Sequence, residues 1–152
     1  MSNNDYADIV DQVLAQIGQH VVLGLPLGLG KPNRLINAFY HRACQDTSIR
    51  LDIFTALSLN PPKPGSELEQ RFLQPFVKRH FGEDYPRLAY ADALAAQQLP
   101  ANITVTEFYF QSGSMLGNAD AQRHYVSSNY THVARDLADR GVNLILQLVA
   151  RR

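Results

Sequence analysis

At 152 residues the chain is long enough for one domain with a real core, and it is read as a single domain over its whole length. Lys+Arg and Asp+Glu both number 14, so no global positive field favours nucleic acid. No apolar run approaches the roughly 20 residues of a membrane span, and residues 1–5 have neither the charge nor the apolar stretch of a signal peptide.

Tyr6, Ile9, Val10, Val13, Leu14 and Ile17 repeat at i, i+3, i+4 and i+7, which predicts an amphipathic helix ending at Gly18. A short apolar strand over 20–23 runs into a Gly/Pro-rich turn. Pro32 then opens a second helix that reaches about Asp46 and buries Leu35, Ile36, Phe39 and Ala43. After Asp46-Thr47-Ser48 comes a second apolar strand over 49–56, then a stiff loop over 60–65. Ser66-Glu67-Leu68-Glu69 is a capping box for a third helix. Leu68, Phe72, Phe76 and Phe81 form its apolar stripe, and Pro75 should kink it. A short helix over 90–97 precedes Pro100. A strand rich in β-branched and aromatic residues follows over 103–110. Helices over 119–125 and 131–139 come next, the latter closed by Gly141. Residues 142–150 read as a strand buried on both faces.

Strands alternating with helices predict an α/β fold: an open, mostly parallel sheet with flanking helices and right-handed crossovers. Ligand sites in such sheets lie beyond the carboxyl ends of the strands. The sequence stops at that edge, with Arg151-Arg152 directly after its most apolar strand. It therefore reads as the N-terminal part of a longer polypeptide, the alternative being a complete small domain.

The stretch 21–33 carries the most chemistry. A strand, a turn with Gly28 and Gly30, and a helix start beside Lys31 and Asn33 can offer backbone N–H groups and a positive dipole end to an oxyanion or phosphate. Two standard glycine motifs fail here. A P-loop would need glycine where Leu25 stands and a hydroxyl where Pro32 stands. A dinucleotide fingerprint meets Asn33 at its third glycine, and the second strand ends without an acidic residue to hold a ribose. The plainer alternative is a tight structural turn.

Ser127-Ser128-Asn129-Tyr130-Thr131-His132 is a polar cluster before a helix, able to bind a carboxylate or simply to cap that helix. A serine triad there lacks the Gly-x-Ser-x-Gly elbow. Glu107 sits amid apolar strand residues, either as a buried acid or on a solvated or arginine-paired face. The five histidines are scattered without metal-ligand spacing, so no metal site is expected. Cys44, the single cysteine, cannot close an internal disulfide, which fits a reducing cytoplasm; it reads as a helix packing residue.

Four segments together resemble the N-terminal half of the acetyl-CoA hydrolase/CoA-transferase family: Leu-Gly-Leu-Gly-Lys-Pro-Asn-Arg-Leu-Ile-Asn-Ala over 27–38, Ile-Phe-Thr-Ala-Leu-Ser-Leu over 53–59, Glu-Phe-Tyr-Phe-Gln over 107–111, and Tyr-Val-Ser-Ser-Asn-Tyr-Thr-His over 125–132. The resemblance implies an enzyme that moves coenzyme A between short carboxylic acids, or hydrolyses an acyl-CoA, through a glutamyl-CoA thioester. The catalytic glutamate of that family lies in a second half, so no catalytic residue is expected in this chain. Gly28, Gly30, Lys31, Asn33, Ser127, Ser128, Asn129 and His132 are the expected contacts to acyl-CoA, which is a substrate and not a resident cofactor. The partners implied are acyl-CoA, a carboxylate, the C-terminal half and further copies in a cytoplasmic homo-oligomer. The rival expectation is a stand-alone α/β ligand-binding module without catalysis.

Overall fold

The computed structural model of the protein describes residues 3–150. In chain order the elements are α1 (Asn3–Ile17), β1 (His20–Gly24), α2 (Asn33–Gln45), β2 (Arg50–Thr55), α3 (Glu67–Phe81), α4 (Ala89–Ala95), β3 (Ile103–Glu107), α5 (Ala119–Arg123), α6 (Val133–Asp139) and β4 (Leu144–Ile145). The strands make one sheet in the order β3-β2-β1-β4, and every pairing is parallel. The α/β sheet with flanking helices is as the alternating pattern predicts.

Alternation along the strands separates two unequal faces. Val21, Leu23, Leu51, Ile53, Ile103 and Val105 point to the main core, where they meet Ile36, Tyr40 and Ala43 of α2, Tyr90 and Leu94 of α4, and Leu14 and Ile17 of α1. On the opposite face Phe54, Ala56 and Phe108 form a second cluster with Leu27 and with Val133 and Leu137 of α6. α6 and the segment after it pack closely over Gly24. A Cβ there would stand 3.1 Å from Val142 and 3.2 Å from Leu137.

Several boundaries move for physical reasons. Pro32 precedes α2 instead of opening it: with ψ at 73° it is not helical, and Asn33 is the first helical residue. β3 stops at Glu107, because Phe108 turns into the second cluster. α6 starts at Val133, since Asn129 holds the preceding residues in a side-chain turn. The strand expected over 142–150 is cut to Leu144–Ile145 and is not buried on both faces: Ile145 is 65 % exposed. It is an edge strand, with β1 on one side only. Cys44 faces outward because Ala43, one residue earlier, takes the inward position. α3 has its capping box, with Ser66 Oγ accepting the Glu69 N–H at 3.2 Å, but it buries no residue. Arg151 and Arg152, like Met1 and Ser2, lie outside the described residues.

Candidate functional site

β1 runs directly into Leu25 and Pro26, and the chain then tightens into a 3-10 turn over Gly28–Gly30. Gly28 has φ at +53°, a conformation that glycine adopts without steric cost. Its N–H donates to Leu57 O at 3.2 Å, and the Gly30 N–H donates to Leu27 O at 3.3 Å. Both donors expected to face a ligand are therefore spent inside the protein. Gly30 O in turn accepts the Leu148 N–H at 2.9 Å, which ties the turn to the segment after β4.

Lys31 points inward and is only 3 % exposed. Its Nζ donates to Ala56 O at 2.8 Å and Leu57 O at 3.3 Å, where β2 ends. Glu107, 1 % exposed at the end of β3, accepts the Ser58 N–H at 3.3 Å. The backbone of 56–58 thus lies between a buried ammonium and a buried carboxyl. Burial pushes Lys31 down to about 8 against an opposing pull from Glu107. Burial raises Glu107, against the lowering effect of its Ser58 hydrogen bond and the Lys31 charge. An ammonium turned into the rim is not presented to a phosphate, so the expected role of Lys31 at the mouth of the site is corrected to one beneath it.

Three features of this cluster were not anticipated. Leu57 has φ at +48°, an uncommon backbone for a γ-branched residue and one that costs on the order of 1 kcal/mol. Ser58 Oγ shares a 2.7 Å hydrogen bond with the hydroxyl of Tyr90, which is fully buried. Asn33 donates to Pro86 O at 2.7 Å, while its own Oδ1 is buried without a partner. The signal for Ser58 was a hydroxyl ending an apolar strand. Nothing in the sequence points from Tyr90 to it.

The polar cluster resolves largely into capping. Asn129 Oδ1 accepts the N–H groups of Thr131 at 2.9 Å and His132 at 3.3 Å, and it lies 3.0 Å from His132 Nδ1. Ser128 Oγ donates to the Asp136 carboxylate on α6. Ser127 is exposed, and among the described residues no serine–histidine hydrogen bond is formed.

Comparison with family models, with curated proteins and with solved structures gives no match to this chain. The sheet geometry offers a candidate site. Consecutive strands β1, β2 and β3 step one way across the sheet, and β4 returns to the other side of β1. The β1/β4 boundary is therefore the topological switch point, where open α/β sheets leave a crevice at their carboxyl ends. A cleft of about 230 Å³ lies there, lined by Gly24, Leu25, Pro26, Leu27, Phe54, Phe108, Val133, Leu137, Ile145 and Gln147. Its walls are mainly apolar. A larger hollow of about 570 Å³ between α1 and α2, which includes Tyr6, Arg34 and His41, is remote from the strand ends. Among the described residues no group of His, Cys, Asp and Glu could hold a metal ion.

Proposed function

We propose that this chain is part of an enzyme that transfers coenzyme A between short carboxylic acids or hydrolyses a short acyl-CoA, and that it supplies the wall receiving the acyl group. One observation supports this most. The four segments that carry the family resemblance, distant in sequence, join into one hydrogen-bonded rim at the carboxyl ends of β1, β2 and β3. Gly28 donates to Leu57, Leu57 donates to Tyr109 O at 2.8 Å, and Val126 donates to Glu107 O at 3.1 Å.

In the reaction implied by the resemblance, a glutamate outside this chain attacks the thioester carbonyl. It expels the CoA thiolate and leaves an acyl-glutamyl anhydride. The thiolate then attacks the glutamyl carbonyl, freeing the first carboxylate and forming glutamyl-CoA, which a second carboxylate or water resolves. In this reading the chain's own task is binding: the cleft beside Gly24 takes the acyl chain and excludes water from it. The Lys31–Glu107 pair fixes the rim from beneath.

Ligand binding without chemistry is the second reading. The spent N–H groups of Gly28 and Gly30 favour it, since they leave no oxyanion contact in the turn.

The test is titration of this chain with butyryl-CoA, followed by amide chemical shifts. Shifts should concentrate at Gly24–Leu27 and on α6 around Val133 and Leu137, with no loss of thioester. Shifts confined to the α1–α2 hollow, or none at millimolar ligand, would remove the proposal. A coding frame continuing past Arg152 into an α/β half with a glutamate near a glycine turn would separate catalysis from the second reading.

A further inference from the structure

α3 is a 15-residue helix that buries none of its residues, yet it carries large apolar side chains on its outer face. Leu68 is 79 % exposed, Phe72 81 % and Phe76 48 %. Leu73 and Val77, about 100° round the helix from Phe72 and Phe76, are only partly buried. The helix is nonetheless completed locally. Ser66 caps its start, and the Glu69 carboxylate reaches back to the Gly65 N–H at 2.7 Å. Arg71 pairs with Glu67 at 2.9 Å, and Gly82, with φ at +75°, closes the end. A helix formed this fully with two phenylalanines in water is built to be covered.

We infer that the outer face of α3 is a self-association surface that pairs antiparallel with α3 of a second copy of this chain. The pattern of side chains selects this occupant. Glu69, Phe72, Phe76 and Arg79 recur at spacings of three, four and three, the seam of a two-helix packing. The seam is symmetric about Gln74. When two copies run antiparallel about that point, Phe72 meets the second copy's Phe76, and Glu69 meets its Arg79. A two-fold axis repeats both contacts. Acidic residues gather in the first turn and Lys78, Arg79 and His80 in the last. An antiparallel partner therefore sets opposite charges together, whereas a parallel one would oppose like charges at both ends. Pro75, with no N–H to donate, lies beside the seam and takes no part in it.

The test is sedimentation equilibrium of the whole chain over a wide concentration range. A reversible monomer–dimer equilibrium is expected. Phe72→Glu, at a site already open to solvent, should leave the fold intact and weaken the dimer about thirtyfold or more. Glu69→Arg and Arg79→Glu should each weaken it about tenfold, and the double variant should regain most of that loss. Because Glu69→Arg also removes a cap, circular dichroism of the single and double variants must show equal helicity. Their difference then reports the pairing alone. A chain that stays monomeric at high concentration overturns the inference. So does a dimer indifferent to Phe72→Glu, which would place association at Ile145 and Val149. Failure of the double variant to recover would overturn the antiparallel register.

Discussion

Lys31 and Glu107 impose opposite demands on the folded state as pH changes. Lys31 titrates near 8 when folded and near 10.5 when unfolded, so between those values the unfolded chain holds a proton the folded one has released. Stability attributable to Lys31 therefore rises with pH across that window, by on the order of 3 kcal/mol. Glu107 acts in the reverse sense: its raised value makes its contribution fall as pH climbs above 4.5. Urea unfolding at both ends of the alkaline window should show the rise in the natural protein relative to Lys31→Met. Other alkaline groups, including Tyr40 pushed up to about 12, cancel in that comparison. Glu107→Gln keeps an acceptor for the Ser58 N–H but removes the charge that props up Lys31. Lys31 should then titrate below 8, read from its ε-methylene shifts, and an unmoved titration would show that the two groups do not sense each other. Lys31→Met leaves the carbonyls of Ala56 and Leu57 without their buried donor and should cost about 1–3 kcal/mol.

Among the elements, the glycine turn and its neighbours sort by what each glycine does. Gly28 is held at positive φ, so Gly28→Ala should cost about 1–2 kcal/mol from backbone strain alone. Gly30 has no such angle, and a Cβ there meets only the Pro26 ring at 3.4 Å. Gly30→Ala should therefore unfold within about 0.5 kcal/mol of the natural protein. Gly24→Ala drives a methyl into Val142 and Leu137 and should cost about 1–3 kcal/mol while narrowing the cleft beside it. Thermal unfolding orders the three, and a Gly24→Ala protein as stable as the Gly30→Ala one would mean that α6 does not lie against the sheet as described. Sequence periodicity revealed α3, its cap and its stripe, because a period near 3.6 is a property of the helix alone. It could not reveal that the stripe faces water, since amphipathicity names a face and not its partner. Lys31 was misread for a related reason. Between Gly30 and Pro32 it has the surroundings of a surface turn, and only the approach of 56–58 gives its ammonium two carbonyls indoors.

In the whole molecule, alternation of apolar strands and helices was enough to show a parallel sheet. The position of β4 was not legible, because nothing local in Leu144–Ile145 tells on which side of β1 it belongs. That choice rests on Asn143, whose Oδ1 accepts the Val22 N–H at 2.9 Å and whose Nδ2 donates to His20 O at 2.8 Å. The side chain imitates one more residue of strand. Asn143→Ala should cost about 1 kcal/mol and hasten hydrogen exchange at Val22; unchanged exchange would assign the register to Leu144 and Ile145 alone. The same clamp has a consequence for biosynthesis. His20 and Asn143 are 123 positions apart, so a ribosome adding about 5–20 residues each second leaves the outer edge of β1 waiting roughly 6–25 s for its neighbour. β2 and β3 can pair on the inner side during that interval, while the bare edge of β1 invites any other extended segment, including that of a neighbouring nascent chain. For this sheet the most hazardous moment comes before β4 has been made.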